Sequence, residues 1–422
     1  MITLYGFQQK ILEKTSNYNN VLYALEMGLG KTFVGSEKMR IYGNRINLVI
    51  CQKSKVDDWF EHLSENYDDY NIYNLTRRSN DIELFIADML GNLQGKYIGI
   101  INYDLIFRRP ELLKLRNITL ILDESSLIQN ERSKRAKFVL KMKKQGCIKN
   151  AILLSGTVIN GNYEKLWSQC ELLGWSIKKG MFLSQYVRMI KRNINGIWVP
   201  IILGYKNVER LKEKLRNYGA VFMKSEEVLE LPEQTFIYLT CENIPEYKKF
   251  DKNKVIEING KKLSADFKLT ERIIKRYICG LAKLKRVEDL IDSTDDRLII
   301  FYNYNEELDN LVKIVNKKER PISYMNGDKK DLKAYEQEDN SITFVQFQSG
   351  SMGLNLQMAN KIIYFSLPDG GAEMFDQSIK RIHRIGQDKP CFYYILMVKD
   401  SIEQDIIAVL KRKSKRINNF FK

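Results

Sequence analysis

Glu26-Met27-Gly28-Leu29-Gly30-Lys31-Thr32 is the stretch that decides how this chain folds. An apolar, strand-like run (Val21–Leu25) precedes it, and a segment able to form a helix (Phe33–Arg40) follows. Strand, glycine loop, Lys-Thr and helix together make a grip for a nucleoside triphosphate. The glycines let the backbone curl until its N–H groups face the phosphates. Lys31 then reaches the β- and γ-phosphates, and the Thr32 hydroxyl ligates Mg2+. The N-terminus of the helix adds a favourable dipole for the anion. Leu25 stands where the full loop pattern has a glycine, five positions before Gly30, which narrows the class of ATPase.

A phosphate grip needs a metal carboxylate and a water-activating group. Asp123-Glu124 follow the apolar run Thr119–Leu122 about 90 residues later. Asp123 is expected to hold Mg2+ directly or through water, and Glu124 to orient and polarise the attacking water. Far downstream lies Arg381-Ile382-His383-Arg384-Ile385-Gly386-Gln387, preceded by Gln377. Arginines three apart share a helix face. A guanidinium aimed at the γ-phosphate neutralises transition-state charge and is worth ~10³–10⁵ in rate. Spacing alone equally allows a solvated basic helix. His383 reads as packing or a local hydrogen bond, and His62 as a surface residue without a partner.

The bulk composition bounds these readings. A chain of 422 residues, 44% hydrophobic, has room for two or three domains. It has no apolar run near the ~18–20 residues that span a bilayer, and no charged-then-apolar secretion pattern at its start. Six scattered cysteines and two histidines argue against a structural zinc site, and free thiols fit a reducing cytosol. The net charge of +16, from 68 Lys and Arg against 52 Asp and Glu, suits a nucleic-acid partner. A generally Lys-, Ile- and Asn-rich composition also accounts for it, and charge does not separate DNA from RNA.

Residues 1–160 alternate strand candidates (Val21–Leu25, Ile46–Cys51, Tyr97–Asn102, Leu120–Leu122, Ala151–Leu154) with helical segments. That alternation indicates an α/β fold with a parallel sheet and ligands at the carboxyl ends of its strands. Residues 162–222 look like a helical insertion broken by a turn at Asn193–Gly196. Residues 235–241 open a second unit with its own insertion near 245–292. Strand candidates then resume at Leu298–Tyr302, Ile322–Met325, Thr343–Phe347, Ile362–Phe365 and Cys391–Val398, before a C-terminal helix near 401–422. The expected domains are 1–225 and 226–422. The grip and the arginines form one site only if two α/β lobes close around ATP.

In chain order, Glu26–Thr32, Asp123–Ser126, Ser155-Gly156-Thr157 and Arg381–Gln387 resemble the motifs of helicase superfamily 2. Glu-Met-Gly-Leu-Gly-Lys-Thr together with His-Arg-Ile-Gly-Gln is similar to the Swi/Snf branch of DNA translocases. The likeness runs from Leu4 to about Asp405, and the Asp-Glu-Ser-Ser variant looks like compact phage or prophage members. The resemblance implies two RecA-like parallel-sheet lobes with helical insertions, and ATP and Mg2+ as cofactors. It implies a nucleic-acid-stimulated ATPase, a monomer in the cytoplasm of a bacterial host, stepping along double-stranded or branched DNA in replication, recombination or repair.

The resemblance also assigns residues. Gln8, in Leu4-Tyr5-Gly6-Phe7-Gln8, is the adenine contact, and Met27, Gly28, Leu29, Gly30, Lys31 and Thr32 hold the phosphates. Lys53 and Ser54, with Trp59 after them, resemble a segment on the DNA backbone, where Gln52 replaces the usual Pro. Asn102-Tyr103-Asp104 resembles the next DNA-facing motif. Ser155, Gly156 and Thr157 form the coupling motif, with Val158 for the usual Pro, and Gln377 joins them. Leu298–Tyr304 resembles the first motif of the second lobe. In the motif around 349–355, Gly353 falls to the nucleotide, and Ser349 and Asn355 to DNA; Ser351 replaces a customary glycine.

Elsewhere the plainer readings stand beside these. The four tryptophans (Trp59, Trp167, Trp175, Trp198) suit packing better than base stacking. The basic run Lys134–Lys144 suits a solvated helix face or a phosphate contact. Two rival functions stay open: an RNA helicase of the same superfamily, against which Gln387 speaks, and an ATP-gated DNA clamp that barely hydrolyses. No wedge or hairpin stands out in the sequence, which favours translocation over unwinding.

Overall fold

A computed structural model describes residues 3–77, 80–156, 162–194, 196–258, 260–348 and 355–421, with side chains to Lys415. Two compact units divide the chain, one of Met1–Val228 with Ile417–Lys422 and the other of Leu229–Arg416.

The first unit carries strands β1 (Asn20–Leu25), β2 (Ile46–Cys51), β3 (Tyr70–Asn74), β4 (Lys96–Asn102), β5 (Ile118–Leu122), β6 (Ile148–Ser155), β7 (Val187–Ile194), β8 (Ile197–Tyr205) and β9 (Ala220–Met223). Seven of them form one sheet in the order β3-β4-β2-β5-β6-β1-β9. Every neighbouring pair in it is parallel. Ile-Asn-Leu-Val-Ile-Cys in β2 and Ile-Thr-Leu-Ile-Leu in β5 are buried along their whole length. Continuous apolar strands of this kind form where helices cover both faces of a parallel sheet. The covering helices are α1 (Gly6–Lys14), α2 (Lys31–Tyr42), α3 (Val56–Asn66), α4 (Asp81–Gly91), α5 (Lys134–Lys144), α6 (Trp167–Leu173), α7 (Lys179–Tyr186) and α8 (Val208–Asn217). Because all seven strands run the same way, their carboxyl ends line one edge.

Residues 162–222 are helical only in part: α6, α7 and α8 fall here, but 187–205 is extended where helical periodicity and charge suggest helix. α7 stops at Tyr186, and β7 pairs antiparallel with β8 in a separate two-stranded hairpin. Dense β-branched residues (Val187, Ile190, Ile194, Ile197, Val199, Ile201, Ile202) favour the extended backbone. Gly196, at φ 83°, supplies the turn, and its N–H donates to Asn193 Oδ1 at 2.8 Å. The last strand of the segment, β9, joins the main sheet beside β1.

The second unit holds β10 (Gln234–Cys241), β11 (Val255–Ile258), β12 (Lys261–Ser264), β13 (Leu298–Tyr302), β14 (Ile322–Met325), β15 (Lys330–Asp331), β16 (Ile342–Gln346), β17 (Lys361–Tyr364) and β18 (Cys391–Val398). Its seven-stranded sheet has the order β10-β18-β17-β13-β16-β14-β15, parallel except for the short β14–β15 pair. Helices α9 (Pro245–Asn253), α10 (Lys268–Asp292), α11 (Asn305–Asn316), α12 (Lys333–Gln337), α13 (Ala372–Ile379) and α14 (Ile402–Phe421) accompany it. The insertion near 245–292 is helical at α9 and α10, with the β11–β12 hairpin between them. The expected α/β architecture of two parallel-sheet lobes is thus present in both units.

The core of the second unit contains a buried ion pair. Lys283 Nζ on α10 meets Glu403 Oε1 on α14 at 2.5 Å, and the other carboxylate oxygen accepts from Val398 N at 2.9 Å. Removing one partner strands the other charge in a low-dielectric interior, a loss of about 3–5 kcal/mol. Lys283→Met is expected to destabilise the second unit by that amount in urea unfolding, and Lys283→Met with Glu403→Leu to recover most of it.

Candidate functional site

Each motif of the first unit follows a strand of the parallel sheet, so one edge collects them all. The loop after β1 carries the glycines, with φ 93° at Gly28 and 72° at Gly30, a left-handed backbone that other residues adopt at a cost. α2 begins at Lys31, directly on Gly30. Lys31 Nζ rests on the Leu25 carbonyl at 3.2 Å. A methyl added to Gly30 would come within 2.3 Å of Gln8 Nε2, so only glycine fits there beside Gln8. Gln8 packs against the loop. It is buried, donates to Leu29 O at 3.1 Å and accepts from Tyr5 N at 2.9 Å. The far end of the loop is also tied down: Glu26 Oε2 accepts from Ser225 N at 2.9 Å and from the Ser225 hydroxyl.

Asp123 and Glu124 leave the end of β5. Asp123 N donates to Ile50 O at 2.9 Å, and Asp123 Oδ2 accepts from the Trp59 indole N–H at 2.9 Å. The Tyr103 hydroxyl donates to the Asp123 carbonyl at 2.8 Å. Trp59 and Tyr103 are both buried, and burial raises the Tyr103 pKa well above its ordinary value, keeping the phenol a donor. Glu124 has φ 52° and ψ 60°. For a residue with a Cβ this left-handed conformation costs about 1–2 kcal/mol. After β6, a methyl built on Gly156 would stand 3.3 Å from Lys31 Nζ and 4.0 Å from Glu124 Oε1. Lys31, Glu124 and Gly156 therefore converge, and Ser155 beside them is buried.

The remaining assignments fare unevenly. Lys53 is exposed and Ser54 half-buried in a short 3-10 turn after β2. Asn102 is not a surface residue available to DNA. It is buried, and its Oδ1 accepts from Asp104 N at 3.1 Å and Leu105 N at 2.9 Å, closing the turn that carries Tyr103. Thr157, Ser349 and Gly353 lie outside the described residues. His62 is half-buried: its Nε2 lies 3.0 Å from the Ser36 hydroxyl and its ring packs edge-on to Phe33 and Trp59. Burial lowers its pKa. α5 turns Ala136, Val139 and Met142 inward and leaves Lys134, Lys137, Lys141 and Lys144 exposed.

In the second unit, the arginine motif is not a helix. α13 ends at Ile379, and 380–386 run as turns and bends, with Gly386 at φ 88°. Gln377 lies on α13, 3.5 Å from Glu373. Arg381 is 1% exposed, whereas Arg384 is half-buried, with burial lowering its pKa. Arg384 Nη1 donates to Asn355 Oδ1, joining two residues that sequence placed in separate roles. Gln387 Nε2 donates to the carbonyls of Gln357 (3.0 Å), Ala359 (2.8 Å) and Ile382 (3.3 Å), fixing these turns against 357–359. His383 Nε2 donates to Pro232 O at 2.8 Å, a structural bond to a residue distant in sequence.

Sequence reasoning missed what holds Asp123. Trp59 and Tyr103 were both in view, but neither spacing nor periodicity tells that their polar atoms end on this residue. The donors that the sequence assigns to Mg2+ are Asp123 and Thr32. Among the described residues no group of three or more His, Cys, Asp or Glu is gathered. A carboxylate and a hydroxyl fit Mg2+, which keeps water and phosphate ligands, better than a metal that needs an all-protein cage.

A family model described as SNF2-related domain matches residues 10–290, and one described as helicase conserved C-terminal domain matches 282–386. The chain is 24% identical over 431 residues to the DNA repair and recombination protein RAD26 of Saccharomyces cerevisiae, covering 90% of this chain and 38% of that protein. It is 23% identical over 458 residues to the uncharacterized ATP-dependent helicase YqhH of Bacillus subtilis, covering 96% of this chain and 76% of that one. A probable ATP-dependent DNA helicase, CHR23 of Arabidopsis thaliana, is 24% identical over 97% of this chain and 42% of its own length. The chain thus spans about two fifths of the yeast and plant relatives and three quarters of the bacterial one. A solved structure, the Sulfolobus solfataricus SWI2/SNF2 ATPase core in complex with dsDNA, aligns over 99% of this chain and 92% of its own, at 20% identity and a TM-score of 0.44.

Glycine at position 124 would relieve the left-handed strain, partly offset by its freer unfolded chain. Glu124→Gly is expected to raise the first unit's thermal midpoint, measured by calorimetry.

Proposed function

We propose that this chain, which belongs to the SNF2-related family of superfamily 2 ATPases, is a motor that couples ATP hydrolysis to movement along double-stranded DNA. The observation that carries this reading is the convergence of Lys31, Glu124 and Gly156 at the carboxyl edge of an all-parallel sheet.

Each residue then has a task. Gly28 and Gly30 turn backbone N–H groups toward the triphosphate, and Gln8 reads the adenine edge. Lys31 exchanges the neutral Leu25 carbonyl for phosphate oxygens. Asp123 and Thr32 would hold Mg2+, which would supply positive charge to offset that of the triphosphate. Trp59 donates to Oδ2 of Asp123, so Oδ1 is the oxygen that would serve Mg2+. Glu124 orients the attacking water for in-line displacement. Arg381 and Arg384 neutralise charge developing on the γ-phosphate. Ser155, Gly156, Thr157 and Gln377 couple these events to DNA, and Gly353 contacts the nucleotide.

Lys53, Ser54, Ser349 and Asn355 contact the DNA backbone. The net charge of +16 supports phosphate-based, sequence-independent and salt-sensitive binding. The likeness to a DNA repair and recombination protein supports a role in replication, recombination or repair. Six buried free thiols suit a reducing bacterial cytoplasm. We assign the working form as a monomer.

Lys31→Ala, Glu124→Gln and Arg384→Ala are each expected to lower DNA-stimulated ATP turnover at least ~10³-fold. Near-normal hydrolysis by all of them would refute the assignment. Titrating the ATPase with duplex DNA, single-stranded DNA and RNA is expected to give the strongest stimulation with duplex, and strongest stimulation by RNA would overturn it. Trp59→Phe keeps the ring and removes the donor. It is expected to raise the Mg2+ concentration for half-maximal turnover about 10-fold, the usual effect of losing a residue that orients a metal ligand.

A further inference from the structure

The β7–β8 hairpin takes no part in the nucleotide site, yet its surface is unlike that of an ordinary soluble ribbon. Ile197, Trp198 and Leu203 are 68%, 65% and 62% exposed, and Ile190, Ile194 and Ile202 are also largely in solvent. A two-stranded ribbon gains little stability alone, and a monomer seldom leaves this much contiguous apolar surface uncovered. The base of the ribbon is firmly held. Val187 is buried, Tyr205 stacks on Tyr163 with ring centroids 4.4 Å apart, and its hydroxyl donates to Glu164 at 2.8 Å. Lys206 N donates to Tyr186 O at 3.0 Å and Asn207 Nδ2 to Gln185 O at 2.9 Å. At ~3.3 Å per residue, each eight- or nine-residue strand carries its tip about 25–30 Å along the ribbon.

Charge identifies the occupant. From Val187 to Lys206 there is no Asp or Glu, while Arg188, Lys191, Arg192 and Lys206 are cationic. Lys191 pairs with Pro200 and Arg192 with Val199, so successive cations point to opposite faces of the ribbon. Both faces therefore combine apolar side chains with positive charge. Trp198, opposite Asn193 near the tip, shares the face of Lys191. A regular duplex offers phosphates but keeps the flat faces of its bases stacked. Unpaired bases at a fork offer phosphates and bare aromatic faces together, which is what this surface complements.

We propose that the hairpin is a wedge for the unpaired bases of forked DNA, with Trp198 stacking on a base and Arg188, Lys191 and Arg192 meeting flanking phosphates. The proposal rests on the DNA reading above and specifies which DNA structure the motor engages. Its test uses the full chain with a forked DNA and a blunt duplex of equal length, both fluorescently labelled, at one salt concentration. Trp198→Ala is expected to lower the fork-to-blunt affinity ratio about 5- to 20-fold, the loss of one base–aromatic stack. Trp198→Phe is expected to restore most of it. Arg188→Ser, Lys191→Ser and Arg192→Ser combined are expected to lower fork affinity and flatten its salt dependence. An unchanged ratio in Trp198→Ala would overturn the wedge. So would wild-type self-association that Trp198→Ala abolishes, since a second copy would then be the occupant. A wild-type ATPase that responds to no DNA would instead remove the motor reading on which the wedge depends.

Discussion

The orientation of Asp123 is the constraint around which the first unit is organised. A carboxylate at the end of a buried strand is free to rotate unless its oxygens are spoken for. Here an indole N–H from α3 takes one oxygen, a phenol from the β4 loop takes the carbonyl, and the β2 ladder takes the amide. The three partners come from helix α3, the turn after β4 and strand β2. The parallel order of β4, β2 and β5 is what lets them meet.

That arrangement also gives the two segments flanking the phosphate site a shared anchor. Trp59 stands one helical turn beyond Lys53–Lys55, and Tyr103 follows Asn102, whose side chain shapes its turn. Their polar atoms end at Asp123, so a shift of either turn is felt there through one hydrogen bond. The strained backbone at Glu124, next in the chain, indicates how little slack this corner has.

Much of this was legible in the sequence because it is local. The apolar runs gave both sheets their strands: Ile46–Cys51, Leu298–Tyr302, Ile322–Met325 and Cys391–Val398 begin and end where hydrophobicity does. The glycine loop and the Asp-Glu pair were legible because their chemistry needs fixed residue types at fixed offsets. What escaped depends on contacts between distant residues. Asn102 has the polarity of a ligand contact, but burial assigns it to a turn. The arginine motif has helical spacing, but Gly386 and the backbone bonds of Gln387 hold it in turns. The hairpin at 187–205 was hidden by interspersed Arg and Lys, which suggested a helix face where β-branched residues decided for strand.

The bond from Ser225 to Glu26 joins positions about 200 residues apart. Ser225 lies only a few residues before Leu229, where the chain passes into the second unit, and Glu26 is the first residue after β1. The covalent thread between the units and the hinge of the glycine loop are thus fastened to a single carboxylate. The segment that leads out of the first unit is therefore pinned, through Ser225, to the residue that opens the glycine loop.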